Sequence, residues 1–208
     1  MSSAAEPRGD HDVTDVPSIV RGAVLLGLLE SAVVLLFSVV NRLLDGPVET
    51  ILLALILLGG IAAVTLLPGT WTRARTIEGI AGAAGIGLGA AFVFLLVDVA
   101  LLQNIGTYTN RWWQIGGSNW WYHPVWWMVG TFLPWMGAWI FANQAARIGR
   151  TSALAALGTA LVFAAGAAAV AVLLGFPGAR WNLGTFGIAF LPGLALATAL
   201  SAMGTRRA

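Results

Sequence analysis

Two carboxyl groups stand inside long apolar runs of this sequence: Glu30, near the middle of the first run, and Asp98, between Val97 and Val99 toward the end of the third. A charge in an apolar medium is costly. Such an acid either handles a proton or a cation, or it is hydrogen-bonded to a neighbouring helix and fixes packing. Glu30, Phe37 and Asn41 are spaced seven and four residues apart, which puts them on one helical face. Arg21 lies on the opposite face and about two and a half turns away, a poor partner for Glu30. Asp98 is placed to face Arg111 or the loop that follows it. Glu30, Asn41 and Asp98 thus form a candidate intramembrane polar site, read either as a proton or cation site or as packing groups.

The densest chemical signal runs from Tyr108 to Trp139, where eight of the ten tryptophans fall. Indole places its N–H among lipid headgroups and its ring among acyl chains, so an interfacial belt is the plainer reading, with the loop from Asn104 to His123 lying on the membrane surface. The doublets Trp112-Trp113, Trp120-Trp121 and Trp126-Trp127 exceed what anchoring needs. His123, Trp127, Thr131, Trp135 and Trp139 also repeat every four residues, which makes an aromatic wall along one side of a helix. Trp112, Trp113, Trp120, Trp121 and this row form a candidate surface for a partner subunit or a flat, lipid-like ligand. His123 precedes Pro124, a helix-start pattern. As a single axial ligand to a haem or chlorophyll-type pigment it is the weaker reading. One histidine cannot build a zinc or copper site, and His11 belongs to the polar N-terminal segment, so no metal site is read from the sequence.

Other chemistries lack their residues. There is no cysteine, which excludes disulfides, thiolate metal sites and cysteine nucleophiles. All eleven basic residues are arginine, so no phosphate-binding Gly loop ending in lysine is present. No zinc-protease helix motif or nucleophile elbow appears, and no serine neighbours His123 in sequence. The pattern leans against an enzyme and requires no cofactor.

These groups must be positioned by helices in lipid. Of 208 residues, 58% are hydrophobic and 10% charged, too few charges to cover a water-facing surface. Six apolar runs, about 19–40, 48–67, 77–102, 124–143, 152–174 and 184–203, each span roughly 30 Å of hydrocarbon at about 1.5 Å per residue. A backbone in lipid must satisfy its own hydrogen bonds, and strand alternation is absent, so the expectation is an all-α, polytopic six-helix bundle over residues 18–203. Residues 1–17 read as a disordered acidic tail and 204–208 as a basic C-terminus. Eight arginines fall on the side of the two termini and three, Arg42, Arg111 and Arg180, on the other, which places both termini in the cytoplasm and the chain in the cytoplasmic membrane. Gly79, Gly82, Gly85 and Gly89 line one face of the third span, suited to close packing inside the bundle or to a homodimer, and the fifth span is alanine-rich. Pro134 and Pro192 bend the fourth and sixth spans, as packing helices and transporter helices both do.

The expected function is a non-catalytic accessory or structural subunit of a larger membrane complex, plausibly respiratory or redox. Its partners would be lipid, other membrane subunits or a second copy. The net charge of +2 implies no nucleic acid, because the arginines flank the spans. The alternative is a small proton- or cation-coupled transporter or channel using Glu30 and Asp98.

Overall fold

The structure, a computed structural model, describes residues 11–115 and 117–203. It is all-helical over these residues: α1 (Val16–Leu43), α2 (Gly46–Trp71), α3 (Ile77–Val97), a short α4 (Asn110–Gln114), α5 (Pro124–Ile148), α6 (Ala153–Leu173) and α7 (Leu183–Ala202). α3 continues through a π-helical turn, Asp98–Leu102. Six of the helices are long and apolar enough to cross a membrane, as the six apolar runs predict.

The helix starts follow from their capping residues. Asp15, Ser152 and Asn182 accept hydrogen bonds from the backbone N–H three residues ahead, at 3.0, 3.3 and 2.8 Å, at the starts of α1, α6 and α7. α5 ends at Gly149, whose φ of 70° closes the last turn in the left-handed region.

Within lipid the helices have no hydrophobic drive to associate, so small residues and close backbone approach must hold them. The glycine face of α3 turns to α1: a Cβ on Gly89 would strike Ala23, and one on Gly82 would press Ile19. Gly27 of α1 lies in turn against the Ala90 carbonyl and Val93. The stripe is therefore a contact within one chain. On the α5 side of α3, Gly87 meets the Gly130 carbonyl and the ring of Pro134. Proline leaves that carbonyl, four residues earlier, without its helical donor. Pro134 and the Gly130 carbonyl thus seat α5 on α3, a packing role. Gly137 of α5 lies against the Thr65 carbonyl of α2. α6 attaches mainly through α7, where Ala156, Ala160, Ala164 and Ala168 form a buried row and Gly193 meets the Ala164 backbone.

The N-terminal segment differs from the expected disordered tail over its described part. Val13 N–H donates to the Thr72 carbonyl at 2.9 Å. The Asp12 carboxylate accepts from the N–H groups of Arg75, Thr76 and Gly79 and from Thr76 Oγ1, at 2.6–3.0 Å. The first turn of α3 offers unpaired donors and the positive end of its dipole, which an acidic residue satisfies. Residues 1–10 and 204–208 lie outside the described residues.

Candidate functional site

The polar chemistry gathers at the end of the bundle away from Asp12, under the segment 103–123. That segment does not lie flat as a belt. It folds back onto α1 and α3: Ser38 Oγ donates to the Thr107 carbonyl and Arg42 to the Gly106 carbonyl, both at 2.5 Å. α4 starts on Thr109, whose hydroxyl accepts from Trp112 N–H, and delivers Trp112 into the bundle, where it is 5% exposed and edge-on to Phe37 and Tyr108.

Two hydrogen-bonded networks result. In the first, the fully buried Asp98 accepts from Gln103 Nε2 at 2.6 Å and from the Tyr108 hydroxyl, which accepts in turn from Trp121 Nε1 at 2.8 Å. Burial foremost, and then the bond to Asp98, pushes the Tyr108 phenol well above its ordinary pKa, so it stays protonated and donates. Trp121 packs edge-on to Phe94 and against Trp126. In the second, buried Asn41 donates to Glu49 Oε1 at 2.9 Å, and Arg111 bridges Glu49 Oε2 at 2.8 Å and Asp45 at 2.9 Å. Arg111 therefore pairs with α2 and the α1–α2 turn, and Asp98 takes the loop instead. Near these networks Asn41 Oδ1, Thr107 Oγ1 and Trp112 Nε1 are buried without a hydrogen-bond partner among the described residues. Most buried polar groups are paired, so three at one end of the bundle are unusual.

Glu30 joins neither network. It has no hydrogen-bond or ion-pair partner among the described residues and sits half-buried on the face of α1 that carries Leu26, Phe37 and Asn41. The α1–α3 register pairs Gly22 with Ile86, Ala23 with Gly89, and Gly27 with Ala90 and Val93. Asp98 therefore lies about one helical turn, ~5 Å, beyond Glu30 along the bundle. Its carboxylate is taken by Gln103 and Tyr108 of the segment that follows α3. Asn41 stands a further eleven residues, ~16 Å, along α1 from Glu30, so Glu30, Asn41 and Asp98 do not form one hydrogen-bonded site.

Each tryptophan doublet divides between two surroundings. Trp112 and Trp121 turn inward while Trp113 and Trp120 stay outward at 43% and 60% exposure; Trp126 packs on Trp121 while Trp127 is outward. His123 is exposed, and its Nδ1 accepts from Val125 N–H at 3.4 Å, the helix-start role its pairing with Pro124 suggests. The row continues through Trp127, whose Nε1 donates to the Trp121 carbonyl, through Thr131 and the exposed Trp135, and then turns inward: Trp139 packs against Ala74, Ile80 and Ala138. Three of the row's five members, His123, Trp127 and Trp135, are exposed. Gln103, Glu49, Ser38 and Thr107 were not singled out by sequence. For Glu49 a signal existed, because Asp45 and Glu49 are four apart and so share a face that Arg111 can bridge. Among the described residues no three His, Cys, Asp or Glu side chains are grouped to hold a metal ion. No family model, curated protein or solved structure matches the chain.

Proposed function

We propose that the chain is a non-catalytic subunit of a larger membrane complex, and that the far-end cap is its partner surface. The observation that carries this reading is the clamped presentation of Trp113, Trp120, Tyr122 and Trp127. Arg42, Ser38, the Asp98 network and the Arg111 bridge hold the segment behind them, so the rings need little ordering on contact. Aromatic side chains of this kind supply much of the energy of protein interfaces when they arrive preorganised. The arginine distribution supports a cytoplasmic-membrane location with both termini inside, which puts the cap on the outer face. A redox or respiratory complex is the class of assembly this reading favours. The test is gentle detergent extraction and native sizing. The wild-type chain is expected to travel in fixed stoichiometry with other membrane subunits, and Trp113→Ala with Trp120→Ala to release it as a folded chain. A wild-type chain running alone would sink the proposal.

A second reading rests on Glu30. An unpartnered carboxyl at mid-depth, with the unmet Oδ1 of Asn41 further along the same helix, suits a proton- or cation-coupled carrier. In vesicles holding the purified chain, a pH-sensitive dye should report proton entry that Glu30→Gln abolishes. Vesicles no leakier than protein-free ones, or equal flux in the variant, would remove this reading.

A further inference from the structure

At the opposite end of the bundle, between the end of α2 with the turn after it and the end of α5, a cleft of about 410 Å³ is lined by Arg73, Arg75, Arg150, His11, Thr70 and Phe141 among others. Its volume falls in the range of about 300–1,000 Å³ common for small-molecule sites. The cleft combines arginine residues with an apolar wall of Phe141, Ala74 and Ala145.

Arg73 and Arg150 have no carboxylate partner among the described residues; the ion pairs made by Arg111 lie at the other end. Asp12 is held by four donors of the α3 start, and Glu78, the acid nearest Arg73 in sequence, accepts from Thr76 Oγ1. The arginines are not needed to close the helix ends either. The last carbonyls of α2, at Pro68, Gly69 and Thr70, take Thr72, Ala74 and Arg73 N–H, and the Ala145 carbonyl of α5 takes Gly149 N–H. Arg73 itself has φ of 51°, a left-handed backbone that a branched or long side chain rarely adopts and that tends to persist where the site uses it.

We infer that this cleft binds a phosphate-bearing anion, with Arg73 and Arg150 as its charged contacts and Phe141 beneath. Guanidinium matches phosphate oxygens with paired donors, and basic pockets between helix ends at the membrane surface suit anionic lipid headgroups. The inference depends on neither reading of the far end and on no membrane orientation.

The test uses the full chain in a neutral detergent. Native mass spectrometry would count retained phosphatidylglycerol against phosphatidylcholine, and a parallel titration would use inorganic phosphate. Wild type should hold the anionic lipid, or take up phosphate, at least about tenfold more tightly than the Arg73→Gln, Arg150→Gln double variant. Arg180→Gln, an exposed arginine at the other end, should change nothing. Tight phosphatidylglycerol with no phosphate uptake identifies a lipid headgroup, and saturable phosphate uptake identifies a soluble phosphate compound. Equal retention by wild type and the double variant, or an equal loss in Arg180→Gln, would overturn the inference.

Discussion

Gly137→Ala is expected to unfold or severely loosen the bundle, with a loss of about 3 kcal/mol or more in detergent. Inserting a methylene into a packed core typically costs ~1–3 kcal/mol when side chains can yield. Here the added Cβ would fall on the Thr65 carbonyl oxygen and carbon of α2, which are backbone and cannot rotate away. α2 and α5 would have to separate, opening the core around Leu66, Ile140 and Phe141 that also receives Ala160, Ala164 and Phe190. The control is Gly166→Ala on α6, where nothing lies within 4 Å of the new atom. That change should be neutral or stabilising by up to about 1 kcal/mol, since alanine is the better helix former. Denaturant-unfolding midpoints of the two variants would decide it, and two midpoints within error of each other would show that α2 and α5 are not held in this way.

That contrast shows how far the sequence could be read. Six helices were legible because the bilayer admits one backbone solution at such lengths, and the runs at 19–40 and 184–203 needed only hydropathy. The glycine face of α3 was legible as a packing face, because its period places the glycines together. Its partner was not, since Gly89 meeting Ala23 depends on how α1 lies beside α3. Gly137 and Gly166 look alike in sequence and differ wholly in surroundings. The site was read less well for the same reason. Asp98 and Glu30 stood out as acids in apolar runs. The donors that satisfy Asp98 come from a polar loop with no periodicity, and the carboxyls that hold Arg111 come from the start of α2. Tryptophan doublets in a sequence mark an interface. Which member turns inward depends on the turn of α4 and the start of α5.

Asp98→Ala should cost about 3 kcal/mol, because it leaves the Tyr108 hydroxyl and the Gln103 amide without their acceptor under the cap, each unmet group costing ~1–3 kcal/mol. Tyr108→Phe should cost roughly 1–2 kcal/mol by removing one of the two donors to Asp98 and the acceptor of Trp121 Nε1. The double variant should cost less than the sum of the two, with a coupling of about 1–3 kcal/mol, since the groups form one network. pH gives an independent handle. The folded Tyr108 phenol has its pKa raised above the unfolded value near 10.0, so the stability it contributes is complete below that pH and declines as pH rises through it. Tyr108→Phe should remove that alkaline decline while leaving other titrations in place; an unchanged decline would mean that Tyr108 is not buried against Asp98. The same pair separates the functional readings. If Asp98 holds the cap for a partner, Asp98→Asn keeps an acceptor for Tyr108, so assembly should survive, and Asp98→Ala should lose stability and partner together. If Asp98 carries a proton, Asp98→Asn should end transport in a chain as stable as the wild type. Loss of flux at full stability would therefore move Asp98 from the architecture of this protein into its chemistry.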